Sequence, residues 1–190
     1  MEQLENLRKF LSGMIEMPES EWLYLTTLLK PKKLEKDAFN FRQGDEVSEI
    51  AFVARGLLYN FYTDANGEDF VKFFISEGGV VSCYSSLLQG IPASYSSRAL
   101  EPVTLVTLQY SDLKKLYERH PCWERMGRVM VERLYIEKER REQRFLMADA
   151  KTRYESFTKE RSELVNRVPQ YLIASYIGIS PVSLSRLRKN

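Results

Sequence analysis

The chain has 190 residues, of which 44% are hydrophobic and 28% are charged, and its formal net charge is +2. This length and composition can build one medium domain with a real core plus a small second domain, and they exclude a disordered tail. The charges are unevenly spread: residues 1–113 hold 10 basic and 16 acidic side chains, whereas residues 114–190 hold 18 and 10. The two halves are therefore predicted to meet different partners.

The N-terminal segment lacks the features of a signal peptide. Residues 1–11 carry Glu2, Glu5, Arg8 and Lys9, so no uninterrupted apolar stretch forms there, and no later run reaches membrane-spanning length. A soluble cytoplasmic protein with no membrane partner is expected.

The sequence contains no catalytic or metal-binding constellation. Cys83 and Cys122 are too few for a four-cysteine iron–sulfur cluster and do not have zinc-motif spacing, so two free thiols are expected. The single histidine, His120, precedes Pro121 at a helix boundary, where capping is favoured over haem ligation. No glycine-rich phosphate loop ends in lysine and no nucleophile stands beside a base. We therefore expect no enzyme activity, catalytic residue, metal or cofactor.

The first 110 residues change from helical to β-type patterning. Residues 1–29 are predicted to form two packing helices that meet near Pro18, and short apolar runs separated by glycine-containing turns follow from Leu34 onward. The predicted strands are 39–41, 50–53, 57–62, 70–75, 80–81, 95–98 and 103–108. Because no helical pattern is predicted between these runs, they favour an antiparallel sandwich or roll over a parallel sheet.

A helical half begins at Ser111. Ser111 and Asp112 are predicted to cap a helix over 113–119, and Pro121 opens a long charged helix that runs to about Met147. Its apolar residues follow a three-four-four spacing and predict a dimer interface. The stripe consists of Trp123, Met126, Met130 and Leu134. Alternatively, this helix lies along its own β-domain.

The last 23 residues have the pattern of a helix-turn-helix. A helix is predicted to start at Pro169, and Gly178 is placed to close it in a left-handed conformation. Ser180 then caps a second helix whose first residue is Pro181. Small Ala174 permits the close approach that the tight turn requires.

Only positive charges occur between Leu164 and the end of the chain, at Arg167, Arg186, Arg188 and Lys189. Such a cluster favours contact with phosphates, because an ordinary solvated helix mixes both signs. A plain helical hairpin that closes a domain is the alternative interpretation.

Two segments resemble the Crp/Fnr family of bacterial transcription regulators. They are residues 41–58, where Gly44, Asp45 and Gly56 occupy the family's roll-turn positions, and residues 174–186. The resemblance implies an α+β chain: an N-terminal antiparallel, jelly-roll-like β-roll with flanking helices, a long dimerisation helix, and a C-terminal helix-turn-helix domain that lacks most of the wing. The implied domains are a cyclic-nucleotide-binding-like sensor (1–118), the dimerisation helix (119–147) and the DNA-binding domain (148–190).

The family holds a cyclic nucleotide with a Gly-Glu pair and an Arg-Ser or Arg-Thr pair. In this sequence Ser82-Cys83 and Ala93-Ser94 stand near those positions, so both charged ligands are missing and ordinary cyclic-AMP binding is not expected. Arg98 lies at an odd offset and is assigned to the roll. The segment either lines a neutral polar cavity for another small molecule or is a packed loop. The candidate ligand residues are Ser82, Cys83, Tyr84, Ser85, Ser86, Ser94 and Tyr95.

The resemblance places the helix that starts at Pro181 in the DNA major groove. Arg186 matches the family position that reads a base or a phosphate, and a guanidinium suits guanine O6 and N7. Val182 is placed to touch a thymine methyl, while Ser180, Ser183 and Lys189 are assigned to phosphates, with Gln170 as a further phosphate candidate. The candidate DNA-binding residues are Gln170, Ser180, Pro181, Val182, Ser183, Ser185, Arg186 and Lys189.

The function implied is a homodimeric transcription regulator that reads a two-fold-symmetric site. Its expected partners are double-stranded DNA and a second copy of the chain, with RNA polymerase and an unidentified small-molecule effector as further candidates. The alternative is a ligand-binding or protein-interaction module that has lost DNA binding.

Overall fold

The computed structural model describes residues 2–188, which form an α+β structure of helices and two antiparallel sheets. The helices are α1 (Glu2–Ser12), α2 (Glu19–Leu28), α3 (Tyr84–Gln89), α4 (Tyr110–Arg119), α5 (Pro121–Met147), α6 (Ala150–Glu160), α7 (Gln170–Ile177) and α8 (Pro181–Leu187). The strands are β1 (Lys30–Leu34), β2 (Phe39–Phe41), β3 (Glu49–Arg55), β4 (Leu58–Thr63), β5 (Asp69–Ile75), β6 (Val80–Val81), β7 (Ser96–Ala99) and β8 (Val103–Gln109). The predicted fold class is confirmed.

The strands form a roll of two four-stranded sheets, with the orders β1-β8-β3-β6 and β2-β7-β4-β5. Side chains from both sheets fill the interior between them, including Val53 and Leu105 from the first sheet and Leu58 and Ala99 from the second. Successive residues of a strand point to opposite faces, so the apolar residues next to these in sequence point out of the roll. Other elements must cover them.

Helices cover the outer faces of both sheets. Phe52 and Val106 of the first sheet pack with α1, α2, α4 and the beginning of α5. Tyr59 and Phe74 of the second sheet pack with Phe157 of α6 and with the helix-turn-helix. Both faces of the central strands are therefore buried, which explains why β3 reads as a nearly continuous apolar run.

β1 and α6 were missing from the sequence prediction. β1 precedes the predicted start of the β-type region and contains Pro31, yet it pairs with β8 at the edge of its sheet, where proline is tolerated. α6 follows α5 directly, and the carboxylate of its cap residue, Asp149, accepts a hydrogen bond from the Thr152 amide at 2.8 Å. Such a cap marks a helix start that the charged sequence around it obscured.

The long helix α5 runs over the predicted span, but its first turns face inward. Trp123 is only 1% exposed and Met126 is also buried, both in the cluster shared with α1 and α2, and Met130 packs against the same cluster. The prediction that Trp123 and Met126 face a partner is corrected accordingly, because their own β-domain covers them. Leu134, at 46% exposure, is the member of the stripe that faces solvent.

A buried carboxylate anchors the beginning of α5. Glu21 of α2 accepts hydrogen bonds from the Trp123 indole at 2.9 Å and from Arg119 Nε at 3.1 Å. The indole hydrogen bond, with further help from Arg119, lowers the pKa of Glu21. A carboxyl group whose pKa is lower in the folded state stabilises the fold above its unfolded pKa, and this contribution is lost as the pH falls through the folded value.

We therefore expect the melting temperature of the natural chain to fall more steeply between about pH 5 and pH 3 than that of the Glu21→Gln variant. At neutral pH the variant should itself be less stable, since it loses a charge-assisted pair. Thermal unfolding followed by circular dichroism across this pH range makes the comparison. Parallel pH slopes for the two proteins would show that Glu21 does not contribute to acid unfolding.

Candidate nucleic-acid interface

The turn between α7 and α8 is closed by a Schellman motif. Gly178 has φ 71° and ψ 43°, its N–H donates to Ser175 O at 3.1 Å, and the Ile179 N–H donates to Ala174 O at 3.0 Å. This pair of bonds satisfies the last carbonyls of α7 and turns the chain sharply. Ala174 is completely buried, as its predicted role at the close approach of the two helices requires.

The second helix begins as the sequence predicts. Ser180 Oγ accepts a hydrogen bond from the Ser183 amide at 3.1 Å, and Pro181 occupies the first turn. Leu184 is 1% exposed and holds α8 against α7, so the opposite face of α8 points to solvent. One face of this short helix is therefore exposed to solvent.

The structure places most of the candidate DNA-binding residues on this exposed face. Pro181, Val182, Ser185 and Arg186 are exposed, with Val182 at 61%, while Ser183 is half-buried beneath its cap. Gln170 is half-buried at the start of α7, and its Oε1 is buried without a hydrogen-bond partner. Lys189 lies outside the described residues.

Arg167, the first of the four C-terminal cations, is not part of the exposed face. Its guanidinium pairs with Glu77 at 2.9 Å and with Glu101 at 2.6 Å, two carboxylates of the roll. These pairs raise the pKa of Arg167. The expectation that this cation helps to meet phosphates is corrected, because two glutamates distant in sequence already neutralise it. It ties the helix-turn-helix to the roll.

A hydroxyl of α7 completes this attachment. Ser175 Oγ accepts a hydrogen bond from the Val71 amide at 2.9 Å and donates to Asp69 O at 3.2 Å. The helix-turn-helix is thus bound to β5 by backbone hydrogen bonds and by the aromatic packing of Phe74 on Tyr176. Sequence reasoning missed this contact, because nothing local to Ser175 reveals a partner about a hundred residues away.

Replacing Gly178 with alanine should destabilise the protein by about 1–2 kcal/mol from the left-handed backbone alone. An added Cβ would also lie 2.6 Å from Phe145 Cε1. The matched control is Gly90→Ala, since Gly90 ends α3 with φ 64° and has nothing within 4 Å of its Cβ position. Urea unfolding of both variants should show the larger loss for Gly178→Ala. Equal losses would mean that the Phe145 ring moves aside without cost.

The segment that corresponds to the family's nucleotide cradle bonds largely to itself. The Cys83 thiol donates to Ser86 Oγ at 3.1 Å, Ser86 Oγ donates to Pro92 O at 3.0 Å, and the Tyr95 hydroxyl donates to Ser82 O at 2.6 Å. Cys83, Ser86 and Tyr95 are buried, Ser82 and Tyr84 are half-buried, and Ser85 and Ser94 are exposed. Burial raises the pKa of Tyr95. These contacts correspond to the packed-loop alternative.

Two polar groups inside the roll were missed by the sequence analysis. Asn60 of β4 and Ser97 of β7 lie opposite each other in the sheet register, and both Asn60 Oδ1 and Ser97 Oγ are buried without hydrogen-bond partners. They share the inner face with Leu58 and Ala99, two residues away on the same strands. Strand alternation could have identified them. Arg98, the next residue on β7 after Ser97, points outward and pairs with Asp37 at 3.4 Å.

Comparison with known proteins adds an independent view of this architecture. Residues 31–120 match the family model of the cyclic nucleotide-binding domain. No curated protein sequence matches the chain significantly. Among the described residues, no helix is both long enough and apolar enough to cross a membrane.

Solved structures share the fold over most of the chain. FixK2 from Bradyrhizobium japonicum matches at a TM-score of 0.73 and 15% identity, over 85% of this chain and 83% of that chain. The c-di-GMP responsive global regulator CLP from Xanthomonas campestris matches at 0.72 and 15%, over 90% of each chain. The catabolite activator protein of Thermus thermophilus matches at 0.58 and 21%, over 95% of this chain and 85% of that chain.

These matches confirm the resemblance found in the sequence at the level of the fold, since they extend from the roll through the long helix to the C-terminal region. The chain therefore shares the Crp/Fnr-type fold of these structures, and its residues 31–120 match the cyclic nucleotide-binding domain family.

Proposed function

We propose that this chain is a cytoplasmic, non-enzymatic, DNA-binding transcription regulator that acts as a homodimer. The observation that carries the proposal is the exposed face of α8, where Val182, Ser185 and Arg186 project from a helix held rigidly by Leu184. A helix of this kind can enter the major groove, where hydroxyls and a guanidinium meet base edges and phosphates.

The exposed part of α5 supports the homodimer. Val131 and Leu134 are each 46% exposed and Tyr135 is 62% exposed, so three large side chains within five residues of α5 remain open to solvent in the protomer. A second copy of the same helix can cover them in a two-fold interface, and a two-fold dimer presents two recognition helices to a symmetric site. Met130 serves the protomer's own core, so the interface begins beyond it.

The proposal includes a sensor segment that does not bind cyclic AMP in the usual way. No charged residue occurs from Gly78 to Ser97, and the side-chain groups of Ser82, Cys83 and Tyr95 already donate hydrogen bonds within the protein, to Glu49 O, Ser86 Oγ and Ser82 O respectively. A cyclic phosphate is an anion that needs a charge-assisted donor to offset the loss of its hydration.

Selection of binding sites from random duplex DNA with the purified full chain tests this function, with and without cyclic AMP. We expect enrichment of a two-fold-symmetric sequence that does not depend on the nucleotide. Enrichment only with cyclic AMP would refute the proposal that the sensor segment does not bind this nucleotide. No enrichment in either condition would favour an interaction module that has lost DNA binding.

A further inference from the structure

A cavity of about 690 Å³ lies between α5, α6 and α7, away from the segment that corresponds to the family's nucleotide cradle. Its volume falls within the range that small-molecule sites in proteins occupy. Six of its thirteen lining residues are arginines. The arginines are Arg133, Arg140, Arg141, Arg144, Arg153 and Arg161.

The carboxylates of the protein neutralise only part of the positive charge of this cavity. Two glutamates, Glu137 and Glu160, belong to the lining, and each already pairs with one arginine: Glu160 with Arg144, and Glu137 with Arg161. Within residues 2–188, no carboxylate lies at ion-pair distance from the other four arginines. The cavity therefore retains a positive charge that an anion would neutralise.

Arg141 is a half-buried member of this group whose hydrogen-bonding capacity is only partly used. One terminal nitrogen donates to Val71 O at 3.2 Å and to Tyr176 O at 3.3 Å, while its Nε is buried without a hydrogen-bond partner. Burial lowers the pKa of the Arg141 guanidinium. A charge that is partly removed from water and has no carboxylate at ion-pair distance is costly, and a bound anion would reduce that cost.

Apolar and aromatic side chains form the rest of the lining. Phe145, Phe157 and Tyr176 border the cavity together with Ile136, and the Arg141 guanidinium lies 4.8 Å from the Phe145 ring centre and 4.9 Å from that of Tyr176. The combination of stacked guanidiniums and aromatic rings suits a ligand with anionic groups at one end and a ring or apolar body at the other.

We propose that this cavity binds a phosphorylated small molecule. Its phosphate groups would bind the guanidiniums of Arg133, Arg140 and Arg141, which have no carboxylate partner among the described residues. Its organic part would lie against Phe145 and Tyr176. Because the lining comes from α5, α6 and α7 together, the bound ligand would hold the helix-turn-helix in its present position on the long helix. This site goes beyond the proposed function, since it requires no DNA.

Titration calorimetry of the full chain without DNA tests the site, with inorganic pyrophosphate and phenyl phosphate as probes and sodium chloride added to keep the ionic strength constant. We expect one saturable site per chain and a higher melting temperature with each probe. The Arg140→Gln variant should bind pyrophosphate about tenfold more weakly or worse, through loss of a charge-assisted contact. Because Arg140 is exposed and has no hydrogen-bond or ion-pair partner among the described residues, the fold of the variant should be unchanged.

The matched control is Arg125→Gln, which removes an exposed arginine of the same helix that does not line the cavity. It should bind both probes as the natural chain does. Absence of saturable binding by the natural chain, or equal weakening by Arg125→Gln, would overturn the proposal. Flat titrations together with weaker duplex DNA binding by Arg140→Gln would also overturn it and would assign these guanidiniums to DNA phosphates instead.

Discussion

The Arg186→Ala variant should bind the selected operator duplex about 1–3 kcal/mol more weakly than the natural chain, with much smaller loss on duplexes of unrelated sequence. The reason is that Arg186 is exposed on α8 and forms no described ion pair, so its donors are free for a base edge. The preference among base pairs at one operator position should relax at the same time. Fluorescence anisotropy at fixed salt measures both effects.

The control for this experiment is Arg125→Ala, which removes the same charge from an exposed position on α5. It should change operator affinity little, and the melting temperature of both variants should match that of the natural chain. An unchanged affinity for Arg186→Ala would contradict the proposed docking of α8. An equal loss on every duplex would instead make Arg186 a phosphate contact.

The second large effect is expected at the proposed dimer interface. Replacing Val131 and Leu134 together with glutamate should raise the dimer dissociation constant about a hundredfold or more, because each apolar side chain buried in a two-fold interface contributes twice. Sedimentation equilibrium measures the change directly. The protomer should remain folded, since both side chains are nearly half-exposed in the single chain.

The matched control replaces Leu23, an exposed leucine of α2, with glutamate. This variant should remain as dimeric as the natural chain. A Val131→Glu, Leu134→Glu double variant that still sediments as a dimer would place the interface elsewhere. A natural chain that is monomeric at all concentrations would contradict the homodimer itself.

Local signals were sufficient for several elements of the fold. Pro121 opens α5 at the predicted residue, and Ser180, Pro181 and Gly178 mark the helix-turn-helix as the structure has it. His120 also takes its predicted role, since its Nδ1 accepts a hydrogen bond from the Cys122 amide at 3.1 Å. Caps and turns depend on side chains within a few residues, so a single sequence contains the information.

Burial of the α5 stripe could not be judged in the same way. Trp123, Met126 and Leu134 share one helical spacing, but only the tertiary structure divides them between the protomer's own core and solvent. Periodicity shows that a helix has an apolar face and does not show which neighbour covers it. The role of Arg167 could not be predicted for a similar reason. The sequence shows its charge but does not show that Glu77 and Glu101 lie beside it.

The amino-acid sequence by itself determined the class of fold, the order of the roll, long helix and helix-turn-helix, and the face of α8 that is exposed. Each depends on short-range stereochemistry or on strand and helix periods. Only the tertiary structure decided that the helix-turn-helix packs on β5 through Ser175, and that arginines from α5 and α6 surround one cavity. Those arrangements join residues far apart in the chain, and long-range packing brings them together.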